Sequence, residues 1–359
     1  MTGGAWGGGV RAVLEDAVAR GVTPGAQVAV WDGGALRSLA VGRVGYSPED
    51  PPVTEATVFD LASVTKPFTA LGWVLSGRDL GVTAAALVPA FRGEPAATAT
   101  LEALLTHRAG LAAWAPLYAL TTPEGAGSGA AREAMLAALL ASPREAPEGE
   151  RYSDLGYLLA GEVLARVEGA PLQEVVTARV LAPFGCEGPL GYRGVGAPWR
   201  GGVACAPTER CAWRGRVVRG EVHDENAFAY GGVAGHAGLF GTAEGLCRAG
   251  VALLEAYAGG GKALSREALL GMLAPRPGGT HRVGFDTRSD EGSSTGRWLG
   301  PRTFGHLGFT GTSLWCDPDA GVAIALTTNR VHPSRDNLGI RALRPAVHDA
   351  VCEALGRRD

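Results

Sequence analysis

Lysine is almost missing from this chain. Of its 359 residues, 33 are Lys or Arg, yet only Lys66 and Lys262 are lysines and the other 31 are arginines. Arginine therefore serves nearly wherever a cation is wanted. Arginine keeps its proton in a protein, whereas lysine can release it. A lysine retained at position 66 suggests that a removable proton matters there.

Other absences exclude whole classes of function. No basic block occurs, and the net charge is −3 with a pI near 6.2, so nucleic acid is not an expected partner. No run is long and apolar enough to span a bilayer. The six cysteines (Cys186, Cys205, Cys211, Cys247, Cys316 and Cys352) are scattered and form no C-x-x-C pair. That spacing argues against a disulfide framework or a zinc site and reads as reduced cytosolic thiols. The 55 glycines follow no G-x-y period, so they mark tight turns rather than a collagen-like rod. The first residues, Met1-Thr2-Gly3-Gly4-Ala5-Trp6, carry no basic region followed by an apolar run. The expectation is a cytosolic chain without a signal peptide, or a periplasmic one if a leader has been trimmed.

What is present fits a globular enzyme-sized protein. The chain is 46% hydrophobic and 19% charged, enough to bury a real core in one large domain or two intimate ones. Val10, Val13, Leu14 and Val18 recur at helical spacing and Gly21 stops the run. Gln27–Trp31 and Leu36–Val41 flank Asp32-Gly33-Gly34 and predict a hairpin. Helices are predicted at 63–75, 101–106, 132–140, 155–167, 172–181, 243–257 and 265–273. Residues 185–225 read as loops with short strands. Three short strands then follow at 305–309, 312–317 and 322–329, with a last amphipathic helix at 340–355. Strands thus lie at both ends and helices in the middle. The economical arrangement is an α/β fold of the α+β type: an antiparallel sheet built from residues 1–60 and 281–359, and a mostly helical portion from 61–280.

Three stretches carry the chemistry. In Ser63-Val64-Thr65-Lys66 the serine and lysine are three residues apart, on one face if a helix starts near Ser63. The helix N-terminus adds free N–H groups and partial positive charge beside the hydroxyl. Pro67 is tolerable only in a first turn, which again places Ser63 at the helix start. A serine needs a base, and a lysine that sheds its proton can serve. The bland alternative is an ordinary helix start with a solvated lysine.

In Tyr152-Ser153-Asp154, a phenol held beside cations can shuttle a proton to a leaving group. The bland alternative is a half-buried tyrosine with Asp154 as the N-cap of the next helix. In His306-Leu307-Gly308-Phe309-Thr310-Gly311, glycines on an edge strand let backbone approach a substrate and leave N–H groups for an oxyanion or a peptide-like partner. Val222-His223-Asp224-Glu225-Asn226 is a further polar cluster. A metal held by His223, Asp224 and His236 is conceivable, but adjacent residues do not converge on one ion, so a substrate-lining role for His223 or a solvated turn is expected instead. His107, before Ala109-Gly110, reads as a helix end.

Ser63-x-x-Lys66, Tyr152-Ser153-Asp154 and His306-x-Gly308, in that order and over nearly the whole chain, resemble the serine β-lactamase and penicillin-binding-protein superfamily. The branch they look most like is the class C type, which also holds esterases and D-amino-acid peptidases. Leu104–Leu111 and Gly235–Phe240 resemble segments of the same branch. The resemblance implies a sheet built from both termini beside a helical domain, with the site between them. It implies a Ser63 nucleophile and an acyl-enzyme, with Lys66 and Tyr152 sharing the base and acid work. The Ser63 and Phe309 N–H groups would form the oxyanion hole. Asp154, His306, Gly308, Thr310 and His223 would meet the substrate.

Two residues depart from the family pattern. Asp154 stands where Asn is usual, and a carboxylate there would pair with Lys66 and raise its pKa, passing the base role toward Tyr152. His306 stands where β-lactamases have Lys, which removes a fixed cation and favours the esterase and peptidase relatives. The expected function is a serine hydrolase on an ester or a small peptide or D-amino-acid amide. The alternatives are a true β-lactamase and a non-catalytic sensor or scaffold of the same fold. No cofactor or metal is expected, and the partner is a small-molecule substrate.

Overall fold

The computed structural model describes residues 6–145, 149–196 and 204–357. In chain order its elements begin with α1 (Trp6–Ala19), β1 (Gly25–Trp31), β2 (Leu36–Gly42) and β3 (Phe59–Asp60). The helical stretch follows: α2 (Thr65–Leu75), α3 (Ala84–Leu87), α4 (Leu101–Leu105), α5 (Gly129–Leu140), α6 (Asp154–Glu168) and α7 (Leu172–Val176). Next come β4 (Leu190–Tyr192), β5 (Pro207–Cys211), β6 (Arg216–Arg219), α8 (Glu225–Ala229), β7 (Leu239–Gly241), α9 (Ala243–Ala258) and α10 (Arg266–Leu273). The chain closes with β8 (Asp286–Thr287), β9 (Phe304–Leu307), β10 (Ser313–Asp317), β11 (Val322–Thr328) and α11 (Ile340–Ala354).

The main sheet runs β2-β1-β11-β10-β9-β8, antiparallel throughout. It is built from both chain ends, as expected. Alternation along its central strands explains why both faces are covered. Val28, Val30, Ile324 and Leu326 share one core with Val10 and Leu14 of α1 and Leu343, Val347 and Val351 of α11. Ala29, Ala323 and Ala325 turn to the other face, where they join Leu246, Ala249 and Leu253 of α9. The small side chains on that face let α9 lie close. So α9, although it comes from the middle of the chain, packs on the sheet.

A second, small sheet β3-β7-β4 joins the segment before Ser63 to the glycine-dense loop 231–238. Among the described residues β5 and β6 pair only with each other. The expected short strands in 185–225 are therefore found, except over 197–203, which lies outside the described residues. The helix expected at 172–181 is α7 continued by a wider, π-type turn at Thr177–Leu181. No helix among the described residues is long and apolar enough to cross a membrane.

Candidate active site

β3 ends at Asp60 and the chain turns sharply into the serine. Ala62 adopts φ 47°, a left-handed conformation that a residue with a Cβ avoids. Asp60 holds it there: one carboxylate oxygen accepts the Ala62 N–H at 2.8 Å and the other accepts the His223 N–H at 2.6 Å. Ser63 then lies in a 3₁₀ turn, Ala62–Val64, that feeds α2. Pro67 falls in the first turn of α2, where it forfeits no needed hydrogen bond.

One turn on, Lys66 is fully buried. Its ammonium has three protons and meets three acceptors: Asp154 Oδ1 at 2.6 Å, Ser63 Oγ at 2.8 Å and His236 O at 3.4 Å. The third exists because loop 231–238 presses against α6. A Cβ on Gly235 would collide with the Tyr157 carbonyl, and Gly235 O accepts the Thr69 hydroxyl at 2.8 Å. Burial works against the Lys66 charge, but the Asp154 carboxylate and, after it, the neighbouring Tyr152 outweigh burial and hold the pKa above its ordinary value. The pairing expected for Asp154 is thus present.

Tyr152 stands immediately before α6. The cap of that helix is Ser153, not Asp154. Its hydroxyl accepts the Gly156 N–H at 3.1 Å and donates to Ala112 O at 2.7 Å, leaving the Asp154 carboxylate free to reach Lys66. The Tyr152 ring centroid is 4.7 Å from Lys66 Nζ. Burial pushes the phenol above its ordinary pKa; Lys66 opposes this and Asp154 adds to it, while hydrogen bonding to Lys66 and Ser63 favours the phenolate. The resting centre is a neutral phenol beside a charged lysine.

His107 does more than end a helix. It closes α4 in the left-handed conformation, φ 60°, with its N–H on Leu104 O and the Arg108 N–H on Ala103 O. Its carbonyl then accepts the Arg151 N–H at 2.8 Å and its Nδ1 accepts the Ser153 N–H at 3.0 Å. The two bonds bracket Tyr152, whose ring lies 4.4 Å from the imidazole. An Nδ1 that accepts must be bare, so the ring is neutral. Burial, followed by the charges of His281 and Lys66, pushes its pKa well down. His281 lies against Tyr152 at 5.4 Å and is oriented by Glu150, which takes its Nδ1–H at 2.8 Å and its N–H at 3.0 Å.

The third motif lies on β9. The two residues of β8 cover only Phe304 and Gly305, so the His306-Leu307 end stands at the sheet edge, as expected. His306 Nδ1 faces Leu307 O at 2.7 Å, and burial, then Lys66 and His281, push its pKa well down. His306 is therefore a neutral group. A Cβ on Gly308 would collide with Thr312 Oγ1 and Leu61 O, so only glycine lets this turn lie against the serine segment. Thr310 Oγ1 donates to Asp60 O at 2.7 Å and Thr312 Oγ1 to Leu61 O at 2.9 Å, pinning the turn there.

Two expectations are corrected by this packing. Thr310 is fully buried and its hydroxyl is spent on Asp60, so it supports the site instead of meeting substrate. His223 is also buried, with Nε2 on Glu209 at 2.8 Å, and its ring stacks on Phe309 at 5.7 Å. It forms a bed for Phe309 rather than offering a polar contact. His236 Nε2 meets Asp224 Oδ1 at 2.8 Å, so His223 and His236 take different carboxylates and do not converge. Among the described residues no group of three or more His, Cys, Asp or Glu side chains could hold a metal ion.

Asp60, His107 as a clamp, and the Glu150–His281 pair are not among the residues expected from the sequence. Asp60 had a signal: a lone carboxylate inside the apolar run Phe59-Asp60-Leu61-Ala62.

Comparison with known proteins places the chain in a family. The family model described as Beta-lactamase matches residues 10–348. A Bacillus subtilis (strain 168) protein named N-acetylmuramyl-L-alanine amidase is 28% identical over 364 aligned positions, covering 89% of this chain and 80% of its own. An Escherichia coli (strain K12) protein named putative D-alanyl-D-alanine carboxypeptidase is 29% identical over 311 positions, covering 78% of this chain and 70% of its own. The solved structure of EstCE1, titled a hydrolase with promiscuous acyltransferase activity, superposes with a TM-score of 0.75 at 22% identity, over 97% of this chain and 98% of that one, and so shares the fold. With one family model spanning nearly its whole length, the chain belongs to the beta-lactamase family.

Proposed function

We propose that the chain is a serine hydrolase that forms an acyl-enzyme on Ser63 and acts on an ester or a small peptide or D-amino-acid amide. The observation that carries this reading is the contact of the buried Lys66 Nζ with both Ser63 Oγ and Asp154, beside the Tyr152 phenol. Once the Lys66–Tyr152 pair has lost a proton, it takes the Ser63 hydroxyl proton. Ser63 Oγ attacks the carbonyl carbon, and the carbonyl electron pair moves onto oxygen, held by the Ser63 and Phe309 N–H groups. As the intermediate collapses, the pair returns the proton to the departing alcohol or amine. Water then repeats the sequence on the acyl-enzyme.

The relatives named as an amidase and a carboxypeptidase support an amide substrate. The neutral His306 supports an ester or peptide over a β-lactam, since no fixed cation stands at that position for a substrate carboxylate. The test is mass spectrometry after a fluorophosphonate. An adduct on Ser63, absent in Ser63→Ala with an unchanged melting temperature, is expected, together with a burst and steady release from p-nitrophenyl esters and slow or no nitrocefin turnover. No adduct on folded protein at high reagent excess overturns the proposal.

A further inference from the structure

Arg344 of α11 is buried, only 8% exposed. Its Nη2 donates to Gly308 O at 2.5 Å and to Thr312 O at 3.0 Å. Among the described residues its Nε has no hydrogen-bond partner and no carboxylate forms an ion pair with it. Burial, and then the charge of Arg330, push its pKa down to about 9, which still leaves it charged at neutral pH. A buried cation with no counter-charge is expensive, and an apolar side chain of similar volume would hold the helix better.

What the cation touches gives it a use. Gly308 C=O and Phe309 N–H are the two ends of one peptide unit, coupled by resonance. A guanidinium on that oxygen draws electron density from the nitrogen and makes the N–H a stronger donor. It also fixes the plane of the peptide, because Thr312 O, its second acceptor, takes the Gly308 N–H at 2.8 Å. The following peptide is held likewise: Arg330 Nε and Nη2 donate to Phe309 O at 2.9 and 2.7 Å, and the guanidinium lies 4.5 Å from the Phe309 ring. Gly308 and Gly311 N–H both have backbone acceptors, whereas among the described residues the Phe309 N–H has none.

We propose that Arg344 is a positioning residue for acyl transfer, which aims and polarises the Phe309 N–H toward the developing oxyanion by binding Gly308 O. This rests on the serine-hydrolase reading above. The experiment compares wild type with Arg344→Met and Arg344→Gln for fluorophosphonate labelling of Ser63, for kcat and KM on p-nitrophenyl acetate, and for melting temperature. Arg344→Met is expected to lower labelling and kcat by roughly 10- to 100-fold, somewhat less than deletion of a whole oxyanion donor, with KM within about twofold. Its melting temperature should stay level or rise, because an uncompensated buried charge is gone. Arg344→Gln, which keeps a hydrogen bond without the charge, should fall between, and it decides the matter if the Met variant does not fold. Wild-type kcat in the folded variants, or a loss of kcat that only follows a fall in melting temperature, overturns the role of Arg344 alone. A wild-type protein that is not labelled at Ser63 overturns the hydrolase reading and this role with it.

Discussion

The Lys66 ammonium reaches across from α2 to the first residue of α6 and donates to Asp154 Oδ1 at 2.6 Å. This ion pair sets the protonation state of the whole centre. Burial alone would drive Lys66 toward the neutral amine; the Asp154 carboxylate and, after it, Tyr152 reverse that. Other groups facing Lys66 are Ser63, Tyr157 of α6, His107 after α4 and His306 of β9.

Asp154→Asn removes the largest influence that favours the charged lysine, and it also removes one that raises the Tyr152 pKa. Both groups should then release their protons at lower pH. The rising limb of Ser63 labelling against pH is expected to move to lower pH. A limb that stays in place in the folded variant would show that Asp154 does not govern the base.

His107 should matter through Tyr152. His107→Ala deletes the acceptor for the Ser153 N–H and the ring packed on the phenol. If Tyr152 does the proton transfer proposed above, a drop in kcat of roughly 10- to 100-fold is expected from the loosened phenol, with little change in KM. Asn tolerates the left-handed backbone and carries an acceptor oxygen, so His107→Asn should recover much of the loss. Equal kcat for His107→Ala and wild type would rule the clamp out.

Acid should destabilise the fold before the carboxylates protonate. His107, His306 and His348 are buried, chiefly uncharged by burial, with pKa values below the ordinary imidazole range and about 4 for His348. Unfolded, each binds a proton near pH 6.5. Their contribution is therefore complete above about pH 6.5 and is lost as pH falls toward the folded values. For His348 alone this amounts to on the order of 3 kcal/mol. Denaturant unfolding at pH 7 and pH 4.5 measures it, and His348→Gln should flatten the slope. A stability that is level across this range would refute the expectation.

Much of the scaffold was legible because it depends on near neighbours. Asp32-Gly33-Gly34 predicts a hairpin because its turn chemistry is local, and β1 and β2 form it. The three-residue spacing of Ser63 and Lys66 predicts their meeting because a helical turn brings i and i+3 together, and the 2.8 Å contact is there. The cap of α6 was harder. Ser153 and Asp154 are adjacent and both favour that position, so their roles follow from which one Lys66 claims. Thr310 was misjudged because it lies in a turn after β9, where strand alternation no longer tells which way a side chain points.

The residue types and their spacing were enough to bring a serine hydroxyl and an amine together, and to foresee a sheet made from both ends of the chain. They could not show that Asp60 restrains Ala62 and His223, that His107 brackets Tyr152, or that Arg344 grips a carbonyl 36 residues away. Those bonds end on backbone atoms or on side chains remote in the chain. A backbone carbonyl is the same in every residue, and its direction exists only once the strands, helices and turns have packed.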